Sequence, residues 1–274
     1  MSRRLLVIAL SSLVMSSCLY AQDTEAPADS AKIAEKLSNP VASLISVPLQ
    51  FNDDTGIGPT RSGHKVALNI QPVIPVPLSD DWNMISRTIL PVVSQSDIAP
   101  GTSHQFGVGD ITQSLFFSPR KPTADGVIWG IGPAILIPTA SNDLLGGHRW
   151  GVGPTALVLR QAHGITAGFL ANQIWSIART NGHVPGSPIS MTFVQPFLSY
   201  NTPAAWTYGL NLESSYDWHQ HEYTVPLNLS VSKVTRLGRL PVSFGGGARY
   251  WLASTEGGPH GWGFRFTVTA VFPE

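Results

Sequence analysis

From Trp206 to Ser232 the sequence changes character at every residue. One alternate set reads Trp206, Tyr208, Leu210, Leu212, Ser214, Tyr216, Trp218, and the set between reads Thr207, Gly209, Asn211, Glu213, Ser215, Asp217. After the polar link His219-Gln220-His221-Glu222 the alternation resumes, with Tyr223, Val225, Leu227, Leu229 and Val231 against Thr224, Pro226, Asn228, Ser230 and Ser232. Successive side chains of a strand point to opposite faces, so this period of two predicts a hairpin with one apolar face.

A soluble sandwich also alternates, and the position of the aromatics separates the two cases. Trp206 and Tyr208 stand at one end of the apolar face and Tyr216, Trp218 and Tyr223 at the other, with Leu210 and Leu212 between them. Phe264 and Phe272 bracket the last strand-like segment in the same way. A strand from Trp206 to Trp218 rises roughly 40 Å and, tilted about 40°, covers roughly 30 Å of height, the scale of a bilayer. These aromatics are read as membrane girdles and the polar face as the lining of a lumen. The fold class that follows is all-β, an antiparallel transmembrane β-barrel.

Composition supports this. Only 12% of the 274 residues are charged, against about 25% in ordinary soluble domains. The 17 Lys+Arg and 17 Asp+Glu balance, which gives no electrostatic reason to expect a nucleic-acid partner. Residues 1–21 have a basic start (Arg3, Arg4), an apolar run from Leu5 to Met15, and Leu19-Tyr20-Ala21 before Gln22, and they read as a signal peptide. Lipoprotein processing at Cys18 is the alternative, disfavoured because an aliphatic residue usually stands where Met15 is. Cys18 is the one cysteine, so the mature chain offers no disulfide or thiolate chemistry. Beyond the leader no run of about 18 apolar residues exists, so membrane entry requires a closed sheet.

Residues 22–40 are polar, a periplasmic N-terminal segment, with a short helix expected from Asp29 or Ser30 to Asn39-Pro40 and either a mobile tail or a plug as its role. Residues 41–274 form the barrel. About twelve strand-like segments are expected, near 41–52, 64–77, 81–95, 104–118, 126–138, 148–160, 163–177, 189–200, 205–218, 222–234, 240–252 and 261–272. Long links, assigned to the extracellular side, alternate with shorter periplasmic ones, as in bacterial barrels. Pro48, Pro72, Pro75, Pro91, Pro133, Pro154, Pro196 and Pro226 all fall inside these segments, and bulges or kinks are expected where each removes a ladder donor. The repeated Trp129-Gly130-Ile131-Gly132-Pro133 and Trp150-Gly151-Val152-Gly153-Pro154 predict two adjacent strands bent at matched heights.

Several stretches together resemble a known family: Asn39-Pro40-Val41-Ala42-Ser43-Leu44-Ile45-Ser46-Val47-Pro48-Leu49-Gln50, Leu68-Asn69-Ile70-Gln71-Pro72-Val73-Ile74-Pro75, Asp81-Trp82-Asn83, Gly107-Val108-Gly109-Asp110, Trp129-Gly130-Ile131-Gly132-Pro133, Pro138-Thr139-Ala140 and Phe272-Pro273. The family is one of Gram-negative outer-membrane proteins usually labelled transporters, sometimes mislabelled neuromedin U, and it is similar to the outer-membrane channels associated with phenol-type aromatic degradation. The resemblance spans nearly the whole mature chain. It implies an outer-membrane barrel passing small, apolar or aromatic solutes, and it carries no catalytic or ligand residues.

The expected lumen face holds Asn69, Gln71, Arg87, Asp110, Asn172, Asn211, Glu213, Asn228, Arg249 and Arg265. Mixed charges in a barrel of this size either line a permeation path or fill it as structural ion pairs. A path of mixed charge favours neutral or zwitterionic solutes. His219 and His221, two apart, would share a face in extended structure and form a weak metal candidate, without a third ligand. Ser215, Asp217 and His219 on one strand end, and Ser254, Glu256 and His260 on one loop, match no nucleophile motif. The expectation is therefore an outer-membrane channel or transporter for small solutes, with no cofactor and no enzymatic activity. Its partners are outer-membrane lipid and a small-molecule solute. The alternatives are a structural or surface-interaction barrel with a closed lumen and, last, a barrel enzyme.

Overall fold

The computed structural model describes residues 25–180 and 187–272. The stretch expected to be a signal peptide, with Cys18, and Pro273 of the family-like Phe272-Pro273 pair lie outside the described residues.

A helix, α1 (Glu25–Leu37), precedes twelve antiparallel strands that close on themselves. They are β1 (Ile45–Ile57), β2 (Gly63–Ile70 and Val73–Pro77), β3 (Trp82–Ser96), β4 (Gln105–Val108 and Ile111–Pro119), β5 (Val127–Ile137), β6 (Arg149–Ala162), β7 (Ile165–Arg179), β8 (Ser190–Asn201), β9 (Trp206–Leu212 and Ser214–Asp217), β10 (Glu222–Leu237), β11 (Leu240–Ala253) and β12 (Gly261–Phe272). Each strand pairs with its sequence neighbour. The last pairs with the first, from Ile45 opposite Phe272 to Asp54 opposite Gly263, so the sheet has no free edge.

The distribution of side chains is inverted relative to a water-soluble protein. Leu49, Phe51, Phe169, Leu198, Leu210, Leu229, Phe244, Phe264 and Phe266 are exposed, while Asn52, Asp54, Gln71, Gln95, Thr155, Thr166, Asn228 and Arg249 are buried. Phe264 exposes 65% of its surface and Asn228 2%. An exposed apolar surface of this extent is stable only against lipid. Around this band the aromatics gather at two heights. Tyr216, Trp218, Tyr223, Tyr250 and Trp262 sit at the end carrying the longer loops, with Tyr216 edge-on to Trp218 at 4.9 Å. Trp82, Trp129, Trp206 and Tyr208 sit toward the end carrying the short turns, with Trp82 edge-on to Trp129 at 5.8 Å and the Lys233 amine 5.0 Å from the Trp206 ring.

The prolines account for the interruptions of the sheet. Pro133 and Pro154 stand directly across from each other. On their outer flanks the ladder lapses, between Ser114–Ala134 and Phe117–Ile131 on one side and between Val152–Trp175 and Thr155–Asn172 on the other. A Cβ on Gly132 would stand 1.8 Å from the Leu115 carbonyl oxygen, and one on Gly153 1.8 Å from that of Gln173. Glycine before each proline is what lets the neighbouring strand approach there. The break in β2 at Gln71-Pro72 faces Pro48, the break in β4 at Gly109-Asp110 lies beside Pro91, and the break in β9 at Glu213 falls between Pro196 of β8 and Pro226 of β10.

Three expectations are corrected. The first strand begins at Ile45 and runs through Asp53 and Asp54 to Ile57 rather than spanning 41–52, because β2 and β12 supply partners for those polar residues. Residues 41–44 instead turn into the lumen: the Asn39 side chain accepts from the Val41 N–H at 3.0 Å, and Asn83 donates to Ser43 at 2.7 Å. In α1, Asp29 and Ser30 lie inside the helix, not at its cap, because Pro27 is tolerated in a first turn. Lastly, the lumen is not wet throughout. Ile85, Phe116, Leu157, Leu159 and Leu170 point inward and pack with Val41 into an apolar cluster toward the short-turn end, since a barrel this narrow is partly filled by its own side chains.

Candidate functional site in the barrel lumen

The half of the lumen formed by β9 to β12 and β1 to β3 carries a layer of charge. Glu213, at the break in β9, accepts from the two terminal guanidinium nitrogens of Arg265 on β12 at 2.7 and 2.8 Å, and from Arg249 on β11 at 2.7 Å. Arg249 also reaches Asp54 on β1 at 3.1 Å and donates through Nε to Asn228 at 3.0 Å. Asn228 in turn donates to Asn211 at 2.8 Å. Arg265 Nε donates to Asn52 at 2.7 Å, and Trp251 donates to Asp54 at 3.1 Å beneath the Arg249 guanidinium. A carboxylate that accepts three charge-assisted bonds from two strands fixes the spacing of the wall it spans.

Gln71, Arg87, Asn211, Glu213, Asn228, Arg249 and Arg265 thus meet in or beside this layer, with Arg87 donating to Gln71 at 3.3 Å. Asn69 faces inward between Gln50 and Pro91, outside the ion-pair network. Asn172 faces inward in the other half, across from Thr155. Asp110 does something else: its carboxylate accepts from the Ala140 N–H at 3.1 Å and the Gly147 N–H at 2.7 Å and so anchors the loop 138–148. That loop folds over the barrel mouth, where Gln95 donates to the Leu144 carbonyl at 3.1 Å.

Sequence reading missed Asn52, Asp54, Lys65 and Trp251. Ending the first strand at 52 removed Asp54 from it, although Asn52 and Asp54 share the parity of Gln50. Lys65 shares the parity of Asn69 and Gln71, and that alternation was the available signal.

Between the charged layer and the short-turn end lies a cavity of about 350 Å³, lined by Arg87, Phe197, Ser230, Ser243 and Thr267 among others. Its floor is the N-terminal segment. In α1, Ile33, Ala34 and Leu37 pack on Ala205 and on Val234 of β10. Gln161 donates to the Glu35 carbonyl at 2.9 Å, and Ser38 to Asn201 at 3.1 Å.

The other candidate groupings are occupied locally. His219 and His221 lie in the turn between β9 and β10, with His221 at a φ of 56°, so the shared face of an extended strand does not exist there. Asp217 accepts the backbone N–H groups of His219 and Gln220 at 2.8 and 3.1 Å, and Ser215 shares a hydrogen bond with Thr224. His260 bonds the Gly258 carbonyl at 2.7 Å.

A closed antiparallel barrel, apolar outside and charged within, defines a transmembrane protein of the outer-membrane class. In fold the chain is similar to an outer-membrane channel from Pseudomonas putida F1, at a TM-score of 0.66 and 16% identity over 84% of this chain and 96% of that one. It is also similar to the NanC porin, at a TM-score of 0.48 and 8% identity over 84% of this chain and 100% of that one. A third similar structure is the translocator domain of the autotransporter NalP from Neisseria meningitidis, at a TM-score of 0.48 and 12% identity over 94% of this chain and 100% of that one. No family model matches the sequence, and no curated protein matches it.

Proposed function

We propose that the protein is a channel for small solutes in the outer membrane of a Gram-negative bacterium. In this reading the short-turn end faces the periplasm, and the segment around α1 is a periplasmic floor of the channel. The observation that carries the reading is the cavity of about 350 Å³ inside a closed barrel, roofed by ionic side chains and floored by a separate piece of chain. A barrel with a purely structural role has no need of a chamber lined by polar and apolar groups together. The inward apolar residues Val73 and Phe197 beside that chamber, together with the resemblance to phenol-type channels, support a solute with an apolar or aromatic part. Asn69, Gln71, Arg87, Asn211, Glu213, Asn228, Arg249 and Arg265 are the lining residues of the proposed path, with Asn172 on its apolar side. The girdle aromatics contact outer-membrane lipid.

A second reading, a surface-interaction barrel with a closed lumen, draws on the apolar cluster around Phe116 and on the ion pairs that cross the charged half. Catalysis is not part of either reading, since Ser215 bonds Thr224 across the ladder and Asp217 accepts the backbone N–H of His219 in the turn. Single-channel recording of the purified protein in planar bilayers separates the two: discrete current steps are expected, and a silent bilayer overturns the channel in favour of the closed barrel.

A further inference from the structure

The charges of the lumen do not cancel where they stand. Arg249 and Arg265 are matched by Asp54 and Glu213 within hydrogen-bonding distance. Two further cations turn into the same layer. Lys65 stands directly across the ladder from Asp54, which Arg249 and Trp251 hydrogen-bond. Arg87 lines the cavity and donates to the neutral side-chain oxygen of Gln71 at 3.3 Å. Among the described residues neither Lys65 nor Arg87 has a carboxylate within ion-pair distance. The balanced charge of the whole chain therefore conceals a local cation surplus at the roof of the chamber.

We propose that this chamber binds a small organic carboxylate, its charged end on Arg87 and its apolar body against Val73 and Phe197. The proposal rests on the channel reading and names the solute class. A planar guanidinium presents a fork of N–H groups that fits a carboxylate in two-point geometry, and Arg87 is the guanidinium at the cavity wall that no carboxylate of the described residues reaches within ion-pair distance. Val73 and Phe197 line the same cavity and belong to the apolar side of the lumen. A compact inorganic anion would leave that wall without a partner, and an uncharged aromatic would leave the cation without one. A chamber with both features selects molecules that carry both. This differs from the neutral or zwitterionic preference that mixed charge alone suggests, because the ion pairs remove the negative charges from the account.

The test is calorimetric binding to the full-length protein purified in detergent, with benzoate, acetate and benzyl alcohol as probes. Benzoate is expected to bind at least about tenfold more tightly than either of the others. Arg87→Gln should reduce benzoate binding by about tenfold or more, and Arg87→Lys should retain part of it. Heat-dependent gel mobility of each variant shows whether the barrel is intact. Equal binding of benzoate and benzyl alcohol, or benzoate binding unchanged in an intact Arg87→Gln barrel, overturns the proposal. Binding does not require conduction, so a silent bilayer with benzoate still bound counts against the channel alone, and current steps without benzoate binding count against the carboxylate site alone.

Discussion

Glu213 donates its backbone N–H to the carbonyl of Pro226 at 3.3 Å, and Pro226 has no N–H to return. The pairing of β9 with β10 lapses at that point, and the pairing of β9 with β8 lapses beside it at Pro196. The inward residue at the gap is the carboxylate that joins Arg249 and Arg265. Gln71 and Asp110 stand at the two other strand breaks, again beside prolines. Residues that weaken the sheet thus coincide with three of its functional-looking side chains.

Replacing that carboxylate leaves two guanidinium groups facing each other in a poorly hydrated layer. Breaking a buried pair from one side costs about 3–5 kcal/mol, so Glu213→Ala should lower the urea midpoint of the detergent-solubilised barrel strongly. The double variant Glu213→Ala, Arg265→Ala should recover part of the loss, whereas an unchanged midpoint in the single variant removes the network from any structural role.

The glycines before Pro133 and Pro154 are expected to resist the smallest change. Gly153→Ala puts a methyl carbon 1.8 Å from the Gln173 carbonyl oxygen, and forced backbone shifts of this kind cost about 1–3 kcal/mol. Gly246, with nothing near its would-be side chain, is the control. Gly246→Ala should leave the unfolding midpoint within about 0.5 kcal/mol of the parent.

Lipid-facing and lumen-facing neighbours should respond differently to charge. Leu229 is half exposed and stands between Leu210 and Ala248, and the adjacent Ser230 turns toward the cavity. Leu229→Arg should cost about 2–4 kcal/mol in folding into vesicles, the penalty of an arginine near the bilayer midplane. Ser230→Arg should fold at close to parental efficiency while changing the current. Equal penalties for both would reverse the assignment of inside and outside.

Removing residues 25–40 takes away α1 and its contacts with Ala205 and Val234 but none of the twelve strands. The truncated protein should still shift mobility on heating in detergent, and its current steps in planar bilayers should be severalfold larger. Steps of parental size would mean that this segment does not obstruct the path.

Asp110→Ala should act on the loop rather than on the wall. It removes the acceptor for the Ala140 and Gly147 N–H groups, so limited proteolysis between 138 and 148 should accelerate severalfold, with the barrel itself staying heat-modifiable.

Much of the architecture was legible in the chain. Alternation such as that of Trp206 to Trp218 depends only on successive side chains pointing to opposite faces, so it located eleven of the twelve strands within a few residues and sorted Leu210 from Asn211. The repeat around Pro133 and Pro154 even gave the matched heights of adjacent strands. The first strand was displaced because Asp53 and Asp54 read as loop, and their true setting depends on partners about 200 residues away in β12.

What the sequence alone determined is which residues face lipid and which face inward, because that follows from local backbone geometry and a period of two. Which inward residues touch was decided by closure of the sheet. Curvature brings Glu213 across two intervening strands to Arg265, leaves Arg87 with no carboxylate of the described residues within ion-pair distance, sends Asp110 to a loop and fills the opposite half with Phe116 and Leu159. Those contacts depend on distances across the lumen, which no spacing along the chain encodes.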